Sequence, residues 1–145
     1  MLSPDFKEFI ELLNKNRIEY LVVGGYAVGI YGYPRFTGDF DVWVNNDENT
    51  AHKLIITLEE FGFASLGLSE SDFLEENSVI QLGHPPFRID ILNSLDGVFF
   101  EKCYSRKNVV EINEIKVNFI DLDDLKTNKR STGRNRDKDD LENLP

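Results

Sequence analysis

The chain has 145 residues, enough for one compact domain of ordinary size. Hydrophobic residues make up 41% and aromatics 12%, which excludes wholesale disorder, and no apolar run approaches the length of a membrane span. The net charge of −10 argues against general nucleic-acid binding, because such binders are usually basic enough to neutralise phosphates.

At the N-terminus, Ser3 and Pro4 read as N-cap and first helical residue. Phe6, Phe9, Ile10 and Leu13 then follow the i, i+3, i+4, i+7 spacing of an amphipathic helix. Tyr20-Leu-Val-Val23 is a short apolar run ending at Gly24-Gly25, the pattern of a buried strand. A short helix is expected from Tyr26 to about Tyr31, followed by a loop from Gly32 to Gly38 that contains Pro34. Asp39 to Val44 reads as the second strand. Ala51, Leu54, Ile55 and Leu58 have helical spacing, so a helix is expected over about 47–61, ending before Gly62. Residues 62–77 read as a loop with a short helix near Asp72. Val79-Leu82 and Phe87-Leu92 read as strands joined through Gly83-His84-Pro85-Pro86. A short helix around 97–104 and a hairpin, Val109-Ile112 and Ile115-Phe119 about Asn113-Glu114, come next. From Asp121 to the end, about 121–145, the chain is highly charged and helical in propensity. The reading is a single domain over 1–145 of class α/β (α+β), with a mixed central sheet flanked by helices.

Cys103 is the only cysteine, which excludes an internal disulfide and any multi-cysteine zinc site. The start, MLSPDFKEF, lacks a basic patch followed by an apolar stretch, so no signal peptide is expected and the location expected is cytoplasmic.

The second strand carries the chemistry. Side chains in a strand alternate between faces, so Asp39, Asp41 and Trp43 point one way while Phe40, Val42 and Val44 point into the core. Two carboxylates side by side repel each other unless something cationic sits between them. A hard divalent ion such as Mg²⁺ (or Mn²⁺) suits carboxylate oxygens and substrate phosphates. In Phe87-Arg88-Ile89-Asp90-Ile91-Leu92, Ile89 and Ile91 turn inward, and Arg88, Asp90 and Leu92 share the other face. If this strand lies beside Asp39–Val44, Asp90 completes a trio able to hold metal, orient an attacking oxygen and neutralise a leaving pyrophosphate. Gly24-Gly25 lets the backbone approach a phosphate, and Arg35 is placed to add a charge-assisted contact.

Gly24-Gly25-Tyr-Ala-Val28 followed by Gly32-Tyr-Pro-Arg35-Phe-Thr37-Gly-Asp39-Phe-Asp41-Val-Trp-Val44 resembles the signature of the DNA polymerase β-like nucleotidyltransferase superfamily. Arg88-Ile-Asp-Ile-Leu92 fits that superfamily's later acidic strand. The run Asp121-Leu-x-x-Leu125-Lys126, Gly133-Arg134 and Asp137-x-x-Asp140-Leu141 is similar to the ending of small bacterial members, including relatives of AbiEii-type toxins and antibiotic nucleotidyltransferases. The resemblance implies transfer of a nucleoside monophosphate from an NTP to a hydroxyl. Asp39, Asp41 and Asp90 would hold metal, with Asp90 also a candidate base for the acceptor. Gly24, Gly25, Arg35 and Thr37 would handle the triphosphate, and Lys126, Lys129 or Arg134 would close over it. The resemblance leaves the acceptor open among a small molecule, an RNA end and a protein side chain. It also leaves open a catalytically silent nucleotide-binding or toxin–antitoxin module.

Two departures stand out. Gly25 occupies a turn position where many members carry serine. The chain is also too short for the extra helical domain of larger antibiotic-modifying members, so acceptor binding is expected from a partner, a second copy in a homodimer, or the surface itself. Trp43 reads either as a base-stacking residue or as a packed aromatic. Lys126, Lys129, Arg130, Arg134 and Arg136 read either as a phosphate or RNA contact or as a solvated helix face.

Overall fold

A computed structural model describes residues 2–33, 38–84 and 86–145. Helix α1 (Pro4–Lys15) starts where the sequence places it: the Ser3 hydroxyl accepts from the Phe6 N–H and Pro4 supplies a preset φ. Strand β1 (Tyr20–Val23) is buried along its whole length, and α2 (Gly24–Ile30) opens directly from it. Strand β2 (Asp39–Val44) is followed by α3 (Glu48–Glu60), capped by the Asp47 carboxylate on the Thr50 N–H. A 3₁₀ turn (Ala64–Leu66) and α4 (Glu70–Leu74) fill the stretch read mostly as loop.

Strand β3 (Val79–His84) runs two residues further than the sequence pattern suggests, carrying Gly83 and His84 into the ladder with β4 (Phe87–Leu92). Helix α5 (Phe100–Ser105) begins later than expected. Strands β5 (Asn108–Ile112) and β6 (Ile115–Phe119) form the expected hairpin, with Asn113 and Glu114 both at positive φ, as a two-residue primed turn demands. The charged tail is two helices rather than one: α6 (Leu122–Thr132) stops at Gly133, which sits at φ +69 as a left-handed cap, and α7 (Asn135–Asn143) follows.

The strands form one mixed sheet in the order β3-β4-β2-β1-β6-β5. β2 runs parallel to β4 and antiparallel to β1. On the face that takes Phe40 and Val42, α1 packs by its apolar stripe. The Phe6 ring stacks on Phe40 at 4.7 Å, Tyr26 meets Phe40 edge-on at 5.1 Å, and Phe9 packs on Phe61 at the end of α3. The opposite face takes α5 and α6. Trp43 is fully buried there and packs edge-on against Phe100 at 5.2 Å, so the packed-aromatic reading holds and the residue is not exposed to stack on a base. Among the described residues, no helix is long and apolar enough to cross a membrane.

Phe40 stands between the two aspartates of β2 and anchors that strand from below. Phe40→Ala is expected to lower unfolding free energy by about 3–5 kcal/mol, the usual range for a fully buried Phe, as read by urea denaturation.

Candidate active site

The parallel pairing of β2 and β4 sets the register of the site. Asp39 lies opposite Arg88 and Asp41 opposite Asp90, so all four side chains rise from the same face of two adjoining strands. β1 pairs on the other side of β2, with Val23 opposite Asp41, which brings the Gly24 turn alongside. These residues border one cleft of about 650 Å³. Its wall is completed by Asn77 and Val79 at the start of β3, by Ser94 to Asp96 after β4, and by the α6–α7 corner, which contributes Arg134 and Arg136 among others. The three aspartates expected from sequence therefore converge.

Arg88 lies among them. Its Nε donates to Asp90 Oδ1 at 2.9 Å, and one terminal nitrogen donates both to Asp39 Oδ2 at 2.9 Å and to Asp90 Oδ2 at 3.1 Å. A guanidinium thus neutralises part of the charge and ties two carboxylates from different strands. Asp41 lies outside this fork. Burial, and then the charges of Asp90 and Asp39, push its carboxyl up to about 7, offset only in part by Lys129 and Arg88.

Gly24 explains how Asp41 fits. It has φ +67, and a Cβ at this position would lie 2.2 Å from Asp41 Oδ2. The turn therefore needs glycine both for its backbone and to leave room for the carboxylate. Gly25 is buried beside it, in the first turn of α2.

Among the described residues, no three His, Cys, Asp or Glu side chains are already set as an ion cage. The donor set nevertheless fits a hard divalent ion. It is all oxygen and comes from three carboxylates that rise from one face of two adjoining strands.

Other expected residues fare differently. Arg35 and Thr37 lie outside the described residues. Lys126 is half-buried on α6 and is not among the described residues that line the cleft, so the structure does not bring it to the aspartates. Lys129 is buried and bonded to Asp137 and Asp140. Arg134 and Arg136 do line the cleft. Arg88 was legible as sharing Asp90's face, but its bridge to Asp39 depends on strand order, which the sequence does not state.

A mixed sheet with this aspartate register, closed by a glycine turn, defines the nucleotidyltransferase class of fold. The chain belongs to the family described as "Nucleotidyl transferase of unknown function (DUF2204)", whose model matches residues 3–145. No curated protein matches it in sequence. Solved structures share the fold. One is a candidate nucleotidyltransferase from Thermotoga maritima, 14% identical, with TM-score 0.63, covering 98% of this chain and 93% of that one. Another is the lincosamide antibiotic adenylyltransferase LnuA with lincomycin bound, 14% identical, TM-score 0.62, covering 99% and 96%. A third is an antigenic nucleotidyltransferase-like protein from Paracoccidioides brasiliensis, 18% identical, TM-score 0.53, covering 95% and 72%. The fold class and the family expected from the sequence are thus established.

Two outcomes follow from the crowding at Asp41. Gly24→Ala is expected to displace that carboxylate and to lower the melting temperature, whereas Gly29→Ala, where a Cβ meets nothing, is not. The raised carboxyl also sets a pH trend. The folded state binds the extra proton, so stability contributed by protonated Asp41 is lost as pH rises from the ordinary carboxylate range through about 7. Thermal melts of the metal-free protein should show Asp41→Asn gaining several degrees over wild type at pH 8 and little at pH 5.

Proposed function

We propose that the protein moves a nucleoside monophosphate from an NTP to a hydroxyl on an acceptor, at the cleft bordered by Asp39, Asp41 and Asp90. The observation that carries this reading is the cross-strand pairing of Asp41 with Asp90, with Asp39 on the same face and the Gly24 turn alongside. Asp39, Asp41 and Asp90 would hold Mg²⁺ or Mn²⁺, which supplies Lewis-acid stabilisation of charge on the phosphoryl oxygens. The Gly24-Gly25 backbone gives the phosphates room beside the carboxylates. The acceptor oxygen attacks the α-phosphorus as the bond to the bridging oxygen of the β-phosphate breaks, and pyrophosphate leaves. Asp90, buried and oriented by Arg88, takes the acceptor's proton. Arg88 is a positioning residue: it keeps Asp39 and Asp90 facing the same point while no other cation is there.

A small hydroxyl-bearing molecule is the acceptor class we favour. The overall charge of −10 disfavours a nucleic-acid end. LnuA, whose structure holds lincomycin, is nearly coextensive with this chain, so a protein of this length accommodates a small acceptor without an added domain.

The test is incubation with Mg²⁺ and α-labelled NTPs against a panel of amino sugars and polyols. Label should pass to an acceptor, and Asp41→Asn should reduce the rate by about 10³-fold or more, the scale of losing a principal electrostatic partner of the transition state. Equal rates for wild type and variant would remove the catalytic claim. A second reading, a silent nucleotide-binding or toxin–antitoxin module, draws on Arg88 already occupying Asp39 and Asp90. Calorimetry showing Mg²⁺–ATP binding with no turnover across the panel would favour it.

A further inference from the structure

We propose that β5 is the docking edge for a second copy of this chain: two β5 strands pair antiparallel about a two-fold axis at Val109, with Lys107 of each copy facing Glu111 of the other. The inference is independent of the nucleotidyl-transfer reading, since the described lining of the cleft includes no residue of β5 or β6.

β5 ends the sheet, and among the described residues no strand pairs with its outer side. The hydrogen-bond phase of the hairpin decides which groups that side offers. The Asn118 and Ile120 N–H groups point toward β1, the first donating to the Tyr20 hydroxyl at 3.2 Å and the second to the Val22 carbonyl at 3.1 Å. Ile115, Val117 and Phe119 therefore hold β5, through their partners Ile112, Val110 and Asn108. The N–H and C=O of Val109 and Glu111 turn outward, and the Val109 side chain beside them is 48% exposed. Nothing guards this edge. Its register with β6 runs unbroken from Asn108 to Ile112, with no proline, glycine or bulge. β3, the other edge, carries Gly83 at φ +81, outside the extended range that a further strand would match.

Charge selects a second copy as the occupant and also selects the register. Centred on Val109, self-pairing joins two outward-facing valines as a hydrogen-bonded pair and sets Lys107 opposite the partner's Glu111 on both sides of the axis. Centred on Glu111, it would oppose two carboxylates. Centred on Val110, it would set Glu111 against the partner's Val109 and leave both charges unanswered. Glu111 already faces Lys116 across its own hairpin, so in the dimer it lies between two lysines. Lys107 is steadied beside the strand by the Tyr104 ring, with Nζ 4.2 Å from the centroid. Its N–H donates to the Tyr104 carbonyl at 3.2 Å, so the pairing stops there, while its carbonyl accepts from the partner's Glu111. Each copy carries a net charge of −10, which disfavours undirected association and makes a local run of opposed charges necessary. The product is an isologous dimer with one sheet continuous through both copies.

Sedimentation velocity on the wild-type chain from about 1 µM to 1 mM, the range of weak to moderate interfaces, should show a monomer–dimer equilibrium. Val109→Pro removes an N–H that β6 does not use, so it should keep the fold and lose the dimer. Lys107→Glu and Glu111→Lys each set like charges across the axis. Each should raise the dimer dissociation constant by about tenfold or more, the scale of two cross-strand pairs turned repulsive. Mixed in equal amounts, those two variants should pair with each other, because each then meets the opposite charge at both positions. Circular dichroism checks that every variant folds. A wild-type chain that stays monomeric throughout, a dimer unmoved by Val109→Pro, or a mixture that stays monomeric would overturn the proposal. None of these results bears on nucleotidyl transfer.

Discussion

Three carboxylates on two adjacent strands repel one another, and much of this structure is arranged around holding them there anyway. The parallel register of β2 on β4 forces Asp41 beside Asp90, with Asp39 one pleat away. No local rearrangement relieves the repulsion, because shifting either strand by one residue would turn Phe40, Ile89 and Ile91 out of the core. The hydrophobic face therefore fixes the position of the charged face. Arg88 answers part of the repulsion with a forked set of hydrogen bonds, and Lys129 acts on Asp41 from the helical side. Burial, and then the repulsion left over from Asp90 and Asp39, push the Asp41 carboxyl up to about 7. An electrostatic deficit maintained by core packing is the form expected of a site that a ligand completes.

Glycine and arginine manage the crowding in different ways. Gly24 removes a side chain so that the Asp41 carboxylate can lie against the backbone turn. Arg88 adds a side chain so that Asp39 and Asp90 share one counter-charge. The first accommodates the carboxylate by space, the second by charge. Neither removes the crowding of the trio, and the Asp41 carboxyl stays pushed up by burial and by the charges of Asp90 and Asp39.

The alternation of Asp39-Phe-Asp41-Val and of Arg88-Ile-Asp90-Ile made the site legible in sequence, because a period of two reports face directly. The N-cap at Ser3 and the Asn113-Glu114 turn were legible for a similar reason: each is set by residues within a few positions of each other. What the sequence did not display is non-local. Nothing in β2 states that β4 is its parallel neighbour, so the bridge from Arg88 to Asp39 could not be seen. Trp43 shares a face with the aspartates, yet α5 covers it through Phe100, and coverage by a distant helix leaves no mark on the strand. The tail read as one charged helical segment because its propensity is uniform. Gly133 divides it, and the division carries Arg134 to the cleft while Lys126 stays on the body of α6.

The C-terminal helices bury polar and charged side chains. A helix pair docking on a sheet usually does so through an apolar stripe, but among the buried positions of α6 and α7 are Asp124, Asn128, Lys129, Asp137 and Asp140. Arg106 grips Asp124 through two nitrogens at 2.8 and 3.0 Å, Asn128 donates to the Asp96 carbonyl at 3.0 Å, and Lys129 joins Asp137 and Asp140. Buried ion pairs of this kind add little net stability over well-packed apolar side chains, since desolvation offsets much of their attraction. Their advantage is direction. An apolar stripe tolerates small slides and rotations, whereas a lysine bonded to two carboxylates and an arginine tied by its Nε permit very few. The corner those bonds define is the part of the cleft wall that carries the arginines, so orientation matters there more than stability. Lys129 of the same cluster also acts electrostatically on Asp41, offsetting part of the upward push of burial on that carboxyl.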